Sequence, residues 1–136
     1  MTLLRRLLIA CLAVAAVATP VALAAGDGTY KGNVKGDKTA KVTVKVKDDR
    51  VTKFVGNVYA SCGLQNLIIT VAYPPVGMKG ASAKIKNGKF KAVFKGSPDV
   101  EDDKRTIAGT FNGAKVSGTI KVEGLCSADE RYTAKR

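Results

Sequence analysis

The sequence predicts an all-β domain, and three observations indicate this fold class. Apolar and polar residues alternate with a period of two, most clearly from Ala40 to Lys47, where three valines face one side. Asn-Gly separates alternating runs at Asn87-Gly88 and at Asn112-Gly113, which is a strong hairpin signal. Helix signals are almost absent after residue 24, and the 14 glycines recur at turns. We expect an antiparallel sheet of eight or nine strands, forming a β-barrel-like fold or a Greek-key sandwich.

Residues 1–24 have the pattern of a secretory signal peptide. Arg5-Arg6 is a positive start, Leu7 to Val17 is apolar, and Ala22-Leu23-Ala24 is a small-x-small cleavage signal. The alternative is an uncleaved membrane anchor, for which this apolar run is near the lower length limit. After cleavage, residues 25–136 would form one domain, secreted or held in the cell envelope, with no membrane span and as a monomer.

The first half of the domain contains four candidate strands. They are Thr29 to Val34, Ala40 to Lys47, Val51 to Ala60 and Leu64 to Tyr73. The alternation slips between Val51 and Phe54, which predicts a β-bulge. Leu64 to Tyr73 is the most apolar strand, so we expect it to be central in the sheet and covered on both faces.

The second half contains two hairpins and a final strand. The hairpin at Asn87-Gly88 would set Ile85 opposite Phe90. A type I′ turn at Asn112-Gly113 would set Gly109 opposite Val116 and Ile107 opposite Gly118, so that each glycine faces a bulky residue. Arg131 to Lys135 is the last strand, which brings the count to nine.

Cys62 and Cys126 remain after signal cleavage, and in an exported protein they are expected to form a disulfide. The alternative is a free thiol pair, which has neither a histidine nor a second pair of thiols beside it. A strict meander would place the two cysteines at opposite ends of the sheet, too far apart to bond. We therefore expect one connection that is not a hairpin. Pro74 to Ala81 fits best as a segment that crosses the sheet, because an extended run of eight residues could span most of that distance.

The domain is strongly basic. Removing Arg5 and Arg6 from 23 basic residues leaves 21 against 11 acidic ones, so the net charge after cleavage is +10. Such a charge favours an anionic cell-envelope polymer as a partner, whereas the alternative is a solvated face with charged strand edges. Nucleic acid is not expected in vivo, because export separates the domain from it and no exposed aromatic platform is predicted.

The composition argues against an enzyme. The chain contains no histidine, so Ser-His and Cys-His arrangements and histidine metal sites are excluded. No glycine-rich phosphate loop or dinucleotide motif occurs, and no cofactor is expected.

Two long loops are candidate sites. The first is a candidate partner loop that contains Tyr73, Pro74, Pro75, Val76 and Met78. The second runs from Gly96 to Asp103, and its acids could bind calcium, although their spacing is not that of a dedicated calcium loop; they are Asp99, Glu101, Asp102 and Asp103. The structural alternatives are a packed crossover for the first loop and a solvated hairpin loop for the second.

The arrangement of these motifs resembles that of a loosely defined, largely uncharacterised group of small secreted β-domains from actinobacteria. The motifs are an early Gly-Thr-Tyr-Lys-Gly at Gly28 to Gly32, Asn-Gly-Lys-Phe at Asn87 to Phe90, and the run from Ile107 to Ile120, followed by a late Cys126 and Tyr132-Thr133-Ala134. The resemblance implies a secreted bacterial all-β domain with one disulfide, and it implies no catalytic or binding residue.

The sequence therefore favours a non-catalytic binding domain whose lysine-rich face contacts an anionic polymer and whose loops contact a protein partner. Two alternatives remain open. One is a secreted protease inhibitor that uses Tyr73 to Lys79 or Ser61 to Gln65 as its loop. The other is a lipocalin-like carrier with a ligand cavity inside a closed barrel.

Overall fold

A computed structural model of the protein describes residues 24–136. The predicted signal peptide, except for its last residue, lies outside the described residues. The described chain forms nine strands. They are β1 (Gly28–Val34), β2 (Asp37–Lys47), β3 (Arg50–Cys62), β4 (Gln65–Tyr73), β5 (Ala83–Lys84), β6 (Lys89–Lys95), β7 (Lys104–Asn112), β8 (Lys115–Glu123) and β9 (Ala128–Lys135). The predicted all-β class is confirmed.

The strands form one antiparallel sheet, which curls into a half-barrel. Its order is β4-β3-β2-β1-β9-β8-β7-β6, and the short strand β5 pairs with β3. The first and last strands of the described chain meet in the middle of the sheet, where β1 pairs with β9. Of the two predicted architectures, the structure has the barrel-like one, since a sandwich would need two sheets.

The concave side of the sheet holds the core. Tyr30, Tyr132, Phe54 and Phe111 are fully buried there, and Tyr30 packs edge-on against Phe111 with ring centroids 5.2 Å apart. A buried phenol needs a hydrogen-bond partner. Tyr132 therefore donates its hydroxyl to Ala108 O at 3.0 Å, and Tyr30 donates to Gly26 O at 2.8 Å.

Two local predictions are confirmed. Lys45 pairs with Lys53 and Val46 pairs with Val51, so Thr52 is the extra residue of a bulge in β3. Asn87 and Gly88 have φ of 53° and 72°, the two positive angles that a type I′ turn needs. The paired part of this hairpin is short, since the bridge joins Lys86 to Lys89 and β5 then pairs with β3.

The predicted register of the β7–β8 hairpin is wrong. Asn112 pairs with Lys115, so the two turn residues are Gly113 and Ala114. Only Gly113 has positive φ, 62°, which fits a type II′ turn with glycine first. The shift places the two strand glycines, Gly109 and Gly118, opposite each other.

The predicted central position of Leu64 to Tyr73 is also wrong. β4 is an edge strand that pairs with β3 alone, and much of its half nearest Cys62 is exposed. Leu67 lies on the concave face, as the alternation predicts, but its side chain is 47% exposed. The apolar residues here are therefore not explained by burial in the core.

The predicted Cys62–Cys126 disulfide is present, with Cα atoms 4.1 Å apart, and Ser61 and Ser127 exchange backbone hydrogen bonds beside it. We call this end of the sheet the disulfide end. The predicted non-hairpin connection is the segment after β4, but it does not cross the sheet. Tyr73 lies opposite Phe54 and Ala83 lies opposite Val51, so β5 continues the line of β4. β4 and β5 together make one pass along the sheet, which brings both cysteines to the same end.

Candidate functional site

Charge is unevenly distributed over the sheet. All lysines of the described chain lie in strands except Lys35, Lys79 and Lys86. The acids of the strands lie near the disulfide end, at the first residues of β2 and β9 and the last of β8; they are Asp37, Glu123, Asp129 and Glu130. The remaining acids lie in the N-terminal segment, turns and loops. Away from the disulfide end, the convex outer face of the central strands therefore carries no acidic residue.

Strand register places this surface in three rows that run across the strands. The first row is Lys115, Lys135 and Lys31, on β8, β9 and β1. The second row is Lys89, Thr110, Ser117, Thr133, Asn33 and Lys41, from β6 to β2. The third row is Lys91, Ala108, Thr119 and Arg131, from β6 to β9. We call these three rows the basic face.

The basic face is long and shallow. Neighbouring strands are about 4.8 Å apart, so the five steps of the second row span about 24 Å. At the β6–β8 side the surface sinks into an open depression of about 470 Å³, bordered by Lys84, Lys89 and Lys91. Its floor includes Gly109 and Gly118, where neither strand contributes a side chain. The hydroxyls of Thr110 and Ser117 lie at its edge.

The lysines of the first row lie directly opposite one another. Lys135 has Lys31 as its partner on one side and Lys115 on the other. Like charges at opposed positions destabilise a sheet. The ion pairs of residues 24–136 use Lys104, Lys121 and Arg105 as cations, so none neutralises the first row. The row is thus a concentration of positive charge that the fold itself leaves uncompensated.

Asp37, the first residue of β2, is held in local hydrogen bonds at the start of its strand. Its carboxylate accepts hydrogen bonds from Thr39 Oγ1 at 2.6 Å and from the Thr39 backbone N at 2.8 Å. The hydroxyl bond, followed by the backbone bond, lowers the pKa of Asp37 below its ordinary value. The carboxylate therefore stabilises the start of β2.

The structure places the candidate partner loop at the end of the sheet opposite the disulfide. Tyr73 is buried, with its ring centroid 5.3 Å from that of Phe94, and burial raises the pKa of its phenol despite the opposing effect of Arg50. Pro74 follows a cis peptide bond, and Pro75 O accepts from Met78 N at 3.1 Å. Val76 and Met78 are exposed, at 86% and 52%. The loop is a series of turns and does not adjoin the basic face.

The acidic loop lies at the disulfide end. Asp103 forms a two-bond ion pair with Arg105, at 3.1 and 3.0 Å. Asp99, Glu101 and Asp102 are exposed. No three acidic or cysteine side chains between residues 24 and 136 are grouped closely enough to hold a metal ion. Calcium binding here stays a prediction.

Sequence reasoning predicted the lysine-rich side of each strand but not the rows. The rows depend on the order of the strands in the sheet, because Lys31 and Lys135 are neighbours only when β1 pairs with β9. No short-range pattern specifies that pairing.

Comparison with known proteins adds no relative, since no protein family, curated protein or solved structure matches this chain. Among the described residues no helix is both long and apolar enough to cross a membrane.

Proposed function

We propose that this protein is a non-catalytic, exported domain that binds an anionic polymer of the cell envelope on its basic face. The observation that carries the proposal is the first row, where three lysines are opposed without an acid to balance them. A polymer with repeated anionic groups would compensate this repulsion, and binding would release its counterions. The disulfide is consistent with an oxidising, extracellular environment.

The chemistry of the face favours a flexible polymer over a small anion. Lysine is a hydrated point charge, suited to many loose contacts, whereas arginine suits bidentate recognition of one group. The second row contributes hydroxyl and amide groups between its terminal lysines, which can hydrogen-bond to a polymer backbone. Phosphate and carboxylate polymers share this chemistry.

The two alternative functions receive less support. The concave side is filled by large side chains such as Tyr30, Phe54 and Tyr132, which leaves a carrier little interior space. Both candidate inhibitor loops form turns, and the one at Ser61 to Gln65 is a two-residue hairpin connection. Protease inhibition and ligand transport stay predictions.

Binding to defined polymers tests the proposal. The domain is titrated with poly(glycerol phosphate), polyglutamate and neutral dextran by isothermal calorimetry at low salt. We expect saturable binding to a charged polymer, none to dextran, and an affinity that falls steeply with salt. The two charged polymers distinguish phosphate from carboxylate recognition. Absence of binding to both at low salt would contradict the proposal, as would tighter binding to duplex DNA than to either.

A further inference from the structure

The half-barrel has a seam between its two edge strands, β4 and β6. At one end the seam is closed by the contact of Tyr73 with Phe94. Further along, Arg105 Nη1 crosses it and donates to Thr70 O at 3.0 Å. Beyond that bond, toward the disulfide end, no strand of the described chain pairs with the free edge of β4. The seam is therefore open over Gln65 to Ile69.

The open part of β4 lacks the features that usually protect a sheet edge. β4 has no charged residue and no proline, and its register with β3 is unbroken by a bulge. Ile68 is 63% exposed and Leu67 is 47% exposed. The other edge strand, β6, carries Lys89, Lys91 and Lys95. An exposed apolar edge without a charge is a template for pairing with another strand.

A cavity lies beside this edge on the concave side. It has a volume of about 140 Å³, and most of its walls are apolar, including Ile69, Val100, Val122 and Leu125. The ion pair of Asp103 with Arg105 forms the remaining wall. Leu125 itself is 80% exposed, so the cavity opens at the disulfide end. An apolar cavity of about 150 Å³ is large enough for benzene. One leucine or phenylalanine side chain from outside would therefore fill it.

The rim of the opening is acidic, in contrast to the basic outer face. Asp99, Glu101 and Asp102 are exposed on the loop next to Val100, and none of them belongs to an ion pair of residues 24–136. A bound segment would meet negative charge on the side of the opening that this loop forms. Basic residues in the segment would complement that charge.

We propose that the open seam binds an extended segment of a partner protein. The segment pairs with the free edge of β4 at Asn66 to Ile68, places one large apolar side chain in the cavity, and carries lysine or arginine beside it. Main-chain hydrogen bonds would supply affinity and the cavity would supply specificity, as in other cases of strand addition. A second copy of this chain is disfavoured, because each copy carries a net charge of +10 after the predicted cleavage.

Binding of a designed peptide tests the proposal. The probe is the capped peptide Lys-Thr-Val-Thr-Leu-Thr-Val-Thr-Lys, titrated into the ¹⁵N-labelled domain. We expect saturable shifts of the amides of residues 66–69 and 100–105, with Kd below about 1 mM. Replacing the central leucine by aspartate, or both lysines by glutamate, should weaken binding at least about tenfold. No saturable shift by about 2 mM, or shifts confined to the basic face, would overturn the proposal.

Two variants locate the site. Leu67→Lys places a charge at the opening, whereas Met78→Lys adds the same charge at the opposite end of the sheet, at a position of similar exposure, 52%. We expect the first to weaken peptide binding at least about tenfold and the second to leave it unchanged, with similar thermal midpoints for both. Equal effects of the two variants would overturn the proposal. Sedimentation of the wild type gives a further test, since a dimer that Leu67→Lys dissociates would assign the seam to a second copy and reject a partner segment.

Discussion

The opposed lysines of the first row should cost the fold stability, and replacing the middle one should recover it. Lys135 faces Lys31 and Lys115 on adjacent strands, so Lys135→Thr removes two like-charge pairs at once. Each such pair destabilises a sheet by roughly 0.2–1 kcal/mol, and exposure places these at the lower end. The expected gain is therefore about 0.5 kcal/mol at low ionic strength.

The matched control is Lys41→Thr, which removes one charge from another interior strand. Lys41 faces the neutral Asn33 on β1, so its loss should relieve no directly opposed pair. For a domain of about 110 residues, 0.5 kcal/mol corresponds to a rise in thermal midpoint of about 2 °C. Differential scanning calorimetry of both variants at low and high salt measures it. The difference should vanish near 1 M salt, where the screening length is about 3 Å.

Equal midpoints for the two variants at low salt would show that repulsion among the three lysines does not destabilise the fold. That result would mean that the lysine side chains extend far enough apart in solvent to make their electrostatic repulsion negligible. The uncompensated charge would then give no reason to expect a polymer on this surface.

Three further changes test the fold. Replacing Cys62 and Cys126 by serine removes a disulfide between residues that are 64 positions apart. In the chain-entropy model this should lower the free energy of unfolding by about 4 kcal/mol. An unchanged free energy of unfolding in a denaturant titration would contradict a stabilising role for the disulfide. Burial raises the pKa of Tyr132 above 10.0, so above pH 10 the unfolded state loses a proton that the folded state keeps, and stability should fall by about 1.4 kcal/mol per pH unit. Tyr132→Phe should remove this loss of stability above pH 10. If the free energy of unfolding falls with pH equally steeply in the variant and the wild type, the phenol ionises normally in the folded state. Gly118→Ala should cost about 1–3 kcal/mol, because the new methyl group would meet Ala108 O and the Gly109 backbone across the strand pair; a thermal midpoint like that of the exposed Ser117→Ala control would contradict the close approach.

Local signals in the sequence predicted most of the strands but not their neighbours. Alternation of side chains located nine strands and the bulge at Thr52, because both depend on residues close in the chain. The Asn112-Gly113 pair predicted a turn one residue too early in the chain. Gly113-Ala114 also fits a two-residue hairpin turn, and it shifts the pairing of β7 with β8 by two residues. Local propensity alone does not decide between two such turns.

The edge position of β4 could not be predicted from the sequence for a different reason. An apolar strand predicts burial only if the fold supplies something to cover it, and here the half-barrel ends at that strand. The same residues that misled the prediction, Leu67 and Ile68, now mark the open seam. The exposure of these two residues supports the proposed binding of a partner segment.

The sequence predicts that the strands carry lysines on one side, but it does not predict where these lysines come together on the sheet. Period-two lysines in β1 and β9 indicate one polar side for each strand, while the pairing of these strands joins the two ends of the domain. The candidate loops, in contrast, were visible as long connections, and the structure places them away from this face.

The proposed polymer binding depends on the position of the lysines on the basic face, and not on net charge alone. Two triple variants with equal loss of charge test it: threonine at Lys31, Lys115 and Lys135, or threonine at Lys47, Lys79 and Lys95, which lie outside the three rows. The measurement is the affinity for the charged polymer that wild type binds best, across a salt series. We predict at least about tenfold weaker binding and a shallower salt slope for the first variant, with little change for the second. Equal losses in both would contradict a defined site on this face.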